Sequence, residues 1–493
     1  MNYEFRFDRY RKYQKETIEK IIKAFDEVDC VMYSAPPGAG KSAINMAVAS
    51  VFSSSFYVLG VKALQDQVKK WFPEAGDIRG RSNYMCPEEP GRTCEDALCT
   101  RERKYKCRSV CPYKEAKMNA EASKVCLTNI WYYYLEGGRF FEDRELLIID
   151  EAHNLPEQLV DFGRVTISPR TVFGLWYDLK DSKDVDYMIE RIGTEILFYE
   201  SKEWLSDEDA RKVRIMRNVL FRLKNVVRDE FVEGRYKNAR VFVPLYSKYP
   251  ARRVFDRAEK VLMCSATLNP DLMVRELGLR EYFGRGNTMY FSVPSIFDPR
   301  RRPLFLVPVC EFTKEKQTEE NVVKMREMIR LILEKHKDER GIIFVPGYRY
   351  MEMLDGISDR LVFHGREDRG EVLDEWINNG GGNKVLVGVK MEEGLDLKDD
   401  LARFSIIMKA PYPDVTDIRV KERLRRKHWN WYFLLTQQVL CQAYGRIVRS
   451  EDDYGTVYVL DKGAVKMLKR KGVPKWIREA MIEEKQKRLE EFV

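Results

Sequence analysis

The chain has 493 residues, too many for one ordinary hydrophobic core, so two to four domains are expected. With 44% apolar and 33% charged residues it is not a disordered chain, and no apolar run reaches the ~18–20 residues that span a bilayer. A formal charge of +8 suits a polyanionic partner without demanding one. The opening MNYEFRFDRYRKYQ carries charges where a signal peptide needs an apolar segment, so a cytoplasmic, reducing setting is expected.

Apolar residues at helical spacing (Ile18, Ile21, Ile22, Phe25) predict a helix over 9–28. An apolar run at 30–35 reads as a buried strand, followed by a small-residue loop and a helix at 43–52. A second strand (55–61) and helix (63–71) continue the alternation that marks a parallel α/β sheet. The pattern stops near Gly80. Residues 81–115 are rich in Cys, Arg and Pro with no apolar period, which predicts an insert held by something other than a core. Strands resume at 124–128 and 145–149. The stretch 155–244 reads as mostly helical and charged, and a strand at 260–264 returns the chain to the first sheet. Beyond about Tyr290 a second α/β unit has strands at 341–345, 384–389, 405–409 and 456–460, and the tail beyond Lys462 reads as basic surface helices.

Ala35-x-x-Gly38-x-Gly40-Lys41-Ser42 follows an apolar strand and opens a helix, the context a phosphate-binding loop requires. Small residues let backbone N–H groups close around phosphates, Lys41 reaches the β- and γ-phosphates, and the Ser42 hydroxyl serves Mg²⁺. Asp150-Glu151-Ala152-His153 ends an apolar strand. Adjacent carboxylates there suit ATP hydrolysis: Asp150 toward Mg²⁺, Glu151 toward the attacking water.

The order of Gly38-Ala39-Gly40-Lys41-Ser42, Asp150-Glu151-Ala152-His153, Ser265-Ala266-Thr267 and Gln442-x-x-Gly445-Arg446-x-x-Arg449 resembles superfamily 2 helicases. A Cys-rich insert between the first two motifs, with GRSNYMC before it and Cys-Pro-Tyr near its end, is similar to the XPD/DinG family of iron–sulfur helicases. The resemblance implies two RecA-like parallel-sheet motor domains, with an iron–sulfur insert and a helical arch-like insert in the first. The expected boundaries are 1–85, 112–155 and 245–285 for the first motor domain, 86–111 for the Cys-rich insert, 156–244 for the arch and 286–493 for the second motor domain. It further implies adenine contacts from Arg11 and Gln14, coupling by Ser265 and Thr267, and nucleotide sensing by Gly394 and Asp396 in MEEGLDL. Gln442, Arg446 and Arg449 then come from the second domain, the arginines stabilising the transferring phosphoryl group when the cleft closes.

A [4Fe–4S] cluster needs four thiolates, and Cys86, Cys94, Cys99, Cys107 and Cys111 are the candidates. The resemblance anchors Cys86 and Cys111. Cys99 and Cys107 complete the expected set, with Cys94 as the alternate and zinc as the competing metal. Arg79, Arg81, Tyr84, the basic run 101–108 and the aromatics at 131–134 are candidate DNA contacts, half of the aromatics being equally well core. The basic run 421–427 reads as a solvated helix face. Together these features predict a monomeric 5′→3′ DNA helicase acting on single-stranded and forked DNA in repair or replication, with no membrane partner. The alternatives are a nucleic-acid-stimulated translocase that does not separate strands, and an ATP-switched DNA-junction binding protein.

Overall fold

The structure, a computed structural model, describes residues 2–483 apart from 103, 226–229, 379–381, 392–396, 398 and 449–451. In the first half, strands β1 (Cys30–Ser34), β2 (Ser55–Leu59), β3 (Gly76–Asp77), β4 (Val125–Asn129) and β5 (Arg144–Ile149) alternate with helices. An insert then carries β6 (Val165–Ile167), β7 (Phe231–Tyr236) and β8 (Ala239–Pro244), and β9 (Ala258–Ser265) and β10 (Thr288–Ser292) bring the chain back. The first sheet has the order β10-β1-β9-β5-β2-β4-β3 with every neighbouring pair parallel. Both of its faces are covered. Cys30 and Met32 of β1 join Phe56 and Val58 of β2 in one core, and the alternate residues Val31, Tyr33, Tyr57 and Leu59 join another.

The second unit contains β11 (Leu304–Cys310), β12 (Gly341–Val345), β13 (Leu361–Val362), β14 (Val385–Val389), β15 (Phe404–Ile407), β16 (Thr456–Asp461) and β17 (Met481–Glu483). Its order is β13-β14-β12-β15-β16-β11-β17, again all parallel. The molecule therefore has two RecA-like α/β domains, as expected.

Three expectations need correction. Thr288–Ser292 pairs with Cys30–Ser34, so the first domain runs past residue 285 to Ser292. The arch-like insert is not only helical: β6, β8 and β7 form an antiparallel sheet beneath the helices Val185–Glu200 and Asp207–Leu223. Met188, Ile192 and Ile196 of one helix meet Val213, Met216 and Val219 of the other, a stripe that the charged residues around it disguise. The tail is core rather than surface, because Ala464, Met467, Leu468, Trp476 and Ile477 are buried and Met481–Glu483 adds an edge strand.

The inserts are tied to their surroundings by charge. Asp207, at the start of its helix, accepts from Arg92 at 2.9 Å and from Arg101 at 2.7 Å, both in the Cys-rich insert. Arg101 is buried and also donates to Glu89 at 2.6 Å, so it builds the insert instead of facing DNA. Arg79 is likewise taken by Asp66 and Asp77. Tyr132, Tyr133 and Tyr134 are core, while Trp131 stays half exposed. The run 421–427 is not simply a solvated face, because Arg423 within it is buried between the domains. At the base of the Cys-rich insert, Arg144 donates to the carbonyls of Ala120, Glu121, Ser123, Lys124 and Ser55, fixing the end of the helix Pro112–Ala122.

Candidate nucleotide site and cysteine cluster

The apolar strand β1 ends at Ser34, and the chain turns through Pro36–Gly40 into the helix Lys41–Ala49. Gly38 and Gly40 both hold positive φ, +78° and +77°, where a side chain is strained. A Cβ on Gly38 would also collide with the Phe297 ring. Gln14 is buried and donates Nε2 to Ala39 O at 3.1 Å, its own Oε1 accepting from Arg11 N at 2.7 Å. The Arg11 guanidinium donates to Gly38 O. Both residues expected at adenine thus brace the loop's carbonyls.

Asp150 and Glu151 follow β5 directly. Strand order puts β5 beside β9, and β9 beside β1, so the acids, Ser265 and the phosphate loop share one edge of the sheet. Lys41 Nζ lies 3.6 Å from Glu151 Oε1. Asp150 is buried and accepts from Tyr57 OH at 3.0 Å and Cys264 Sγ at 3.3 Å; Ser42 is also in reach of the Tyr57 hydroxyl. Asn45 completes this network, donating Nδ2 to Tyr57 OH at 3.0 Å and accepting from Tyr33 OH at 2.6 Å. Burial, then the neighbouring Glu151 charge, raise the Asp150 carboxyl above its ordinary value. For Glu151, burial acts upward, but Lys41 and the contacts from His153 and Ser265 outweigh it and hold the carboxyl well below the usual range. The two acids are driven apart, which leaves Glu151 an ionised acceptor.

His153 Nδ1 lies 2.5 Å from Ser265 Oγ and 3.3 Å from Glu151 Oε2, and Ser265 donates to the same Glu151 oxygen at 3.1 Å. The second domain closes on this edge. Gln438 of the helix Trp429–Tyr444 donates to His153 O at 3.1 Å, and Trp476 Nε1 donates to Ala266 O at 3.3 Å. Gln442 is buried on the same helix. Gly445 and Ile447, which flank Arg446, line a small cavity with Pro36 and Pro37 of the phosphate loop. Gly394, Asp396 and Arg449 lie outside the described residues. The sequence reading missed Gln438, Trp476, Asn45 and Tyr57; only Gln438, one helical turn before Gln442, carried a local signal.

In the Cys-rich insert, Cys86 N donates to Arg92 O at 2.8 Å and Cys94 N to Tyr84 O at 2.7 Å, a hairpin that brings Cys86 and Cys94 together. Cys94 is buried with its sulfur 3.9 Å from that of Cys111. Burial, then Cys111, push the Cys94 thiol up to about 11. Cys99 is raised by burial and by Cys107 beside it. Among the described residues no three His, Cys, Asp or Glu side chains close on one metal-sized point. The donor chemistry nonetheless fits a thiophilic group: five thiols sit in one small insert, and Cys94, the alternate in the sequence reading, stands against Cys111.

The family model described as the helicase C-terminal domain matches residues 329–480. The one described as type III restriction enzyme, res subunit, matches residues 8–175. Over 285 residues the chain is 22% identical to the ATP-dependent DNA helicase CHL1 of Yarrowia lipolytica, covering 48% of this chain and 35% of that protein. It is 26% identical over 256 residues to the ATP-dependent DNA helicase chl-1 of Caenorhabditis elegans, covering 45% and 31%. The chain spans about a third of the length of these curated relatives. A solved XPD helicase superimposes with a TM-score of 0.66 at 17% identity, covering 97% of this chain and 100% of that one. Xpd4 of S. tokodaii gives 0.61 at 16% identity, covering 96% and 100%. At such identities these structures speak for the fold.

Proposed function

Because the chain is XPD/DinG-like in its motif order, its matched domains and its fold, we propose that it is an ATP-dependent DNA helicase that moves 5′→3′ on single-stranded DNA, serving repair or replication. The observation that carries the reading is the assembly of Lys41, Glu151, His153 and Ser265 at one sheet edge, with a helix of the second domain docked on it. Loop N–H groups and Lys41 hold the phosphates, and Ser42 and Asp150 would hold a Mg²⁺, which would supply charge to shield them. Glu151, kept ionised, orients and polarises the attacking water. Arg446, and Arg449 in the same motif, bring positive charge from the second domain, so hydrolysis is tied to closure of the cleft.

The polarity rests on the family resemblance. Strand displacement on 5′- and 3′-tailed duplexes tests it, and unwinding of the 3′-tailed duplex alone would sink it. DNA-stimulated ATP turnover without displacement on any tail would instead identify a translocase, and no turnover with any polynucleotide an ATP-switched binding protein. The Cys-rich insert is read as the seat of a [4Fe–4S] cluster held by Cys86, Cys111 and two of Cys94, Cys99 and Cys107, a group that would make the insert rigid. Iron and sulfide analysis of anaerobically purified protein decides this; stoichiometric zinc in a colourless sample would overturn it.

A further inference from the structure

Glu151 sits in a turn that its own sequence holds poorly. Its backbone takes φ +48°, the left-handed region that a Cβ disfavours, so its position depends on its neighbours. Those neighbours are Ser265 and the His153 ring, and His153 follows within the short turn Ala152–Asn154. From outside, Gln438 of the second domain anchors the backbone of that turn, its Nε2 donating to His153 O at 3.1 Å. Gln438 is only 8% exposed, and its Oε1 is buried with no hydrogen-bond partner among the described residues. An apolar side chain would fill this place without an orphaned acceptor, so packing does not account for an amide here. Gln438 and Gln442 are four positions apart, which puts both on one face of the helix that leads to Arg446.

We propose that Gln438 is a positioning residue for Glu151, a reading that rests on the ATP site described above. By holding the His153 carbonyl, it sets the ring against Ser265 and Glu151, so the water-polarising carboxylate is aligned only when the second domain is docked. Removing this one bond does not release the domain, because Trp476 still reaches Ala266 and Arg423 still reaches Glu276.

The test compares Gln438→Met and Gln438→Glu, neither of which has the amide donor, with the unaltered chain. Both should lower kcat for single-strand-stimulated ATP hydrolysis about tenfold while KM for ATP stays within about twofold. A kcat within twofold of the unaltered chain, or a raised KM at unchanged kcat, would overturn the proposal. Amide hydrogen exchange at residues 152–154 gives a readout that needs no turnover and is compared at matched thermal stability. It should speed up about tenfold in Gln438→Met, and unchanged exchange would also overturn the proposal. If the unaltered chain hydrolyses no ATP, the functional reading fails, while exchange still decides whether Gln438 holds the turn.

Discussion

Arg423 and Glu276 form a bidentate ion pair between the two domains, Nη1 and Nη2 each 2.9 Å from a carboxylate oxygen and both residues buried. Arg423 also donates Nε to Leu245 O at 2.8 Å and lies over the Trp431 ring at 4.2 Å, while Arg419 reaches Glu157 at 2.8 Å and Glu276 at 3.5 Å. Two buried guanidinium groups thus share one buried carboxylate. Glu276→Gln strands Arg423, while Arg419 keeps Glu157, and should destabilise the domain contact by about 3–5 kcal/mol, measured as a lower denaturant midpoint. The double change Glu276→Leu with Arg423→Met should recover part of the loss, because matched apolar groups leave one fewer cation unpaired.

Glu151→Gln should lower kcat for ATP by about a hundred- to ten-thousandfold with nucleotide binding retained, as steady-state turnover and equilibrium binding of a fluorescent nucleotide will show. Since Lys41, His153 and Ser265 keep the carboxyl below its ordinary range, the acid limb due to this group should lie below that range. The unaltered chain's kcat should not fall on its account at mildly acidic pH.

Gly38→Ala places a Cβ at a φ of +78° and into the Phe297 ring. The left-handed conformation alone disfavours it by about 1–2 kcal/mol, so ATP affinity should fall roughly tenfold or more in a binding titration. Shortening the opposing ring in the double variant with Phe297→Ala should recover only the part due to collision.

Cys94 offers a chemical test. In metal-free protein its thiol, pushed up to about 11, should react slowly with iodoacetamide at pH 8, since the thiolate is the nucleophile. Mass spectrometry of alkylated peptides measures this. Cys94→Ser should also lower the iron content of the purified chain if Cys94 is one of the four ligands.

His336 gives a pH dependence with a definite sign. It is stacked on Phe404, faces Tyr458 OH at 2.9 Å and is lowered by burial from its ordinary 6.5, more than Glu339 raises it. The unfolded chain therefore takes up the proton first, and stability falls as pH drops through about 6.5 toward the lower folded value. Melting temperature should decline between about pH 7.5 and 5.5, with a shallower slope in His336→Gln.

The grouping of the candidate nucleotide half-site was legible because it is local: Gly38 to Ser42 lie in one turn, and Asp150 and Glu151 are adjacent. The parallel sheets were legible because strands buried on both faces read as continuous apolar runs. What the text concealed depends on partners far along the chain. Arg423 looks solvated among Lys421, Glu422 and Arg425, and only the arrival of Glu276, 147 residues away, makes it core. Arg101 looks like a DNA contact until Asp207 takes it. Cys94 looked optional because spacing says nothing of a hairpin that returns it to Cys86.

Arg144 binds five carbonyls around the end of the helix that begins just after Cys111, and none of those bonds involves a thiol. That helix is thus held to the sheet by its backbone, while the loop before it is held by side chains: Cys94 in the sheet's core, and Arg92 and Arg101 on Asp207. Were a metal held in the insert and then lost, melting should be confined to the loop and leave that helix in place. The rest of the molecule would wait, folded, as a template on which the loop can be rebuilt.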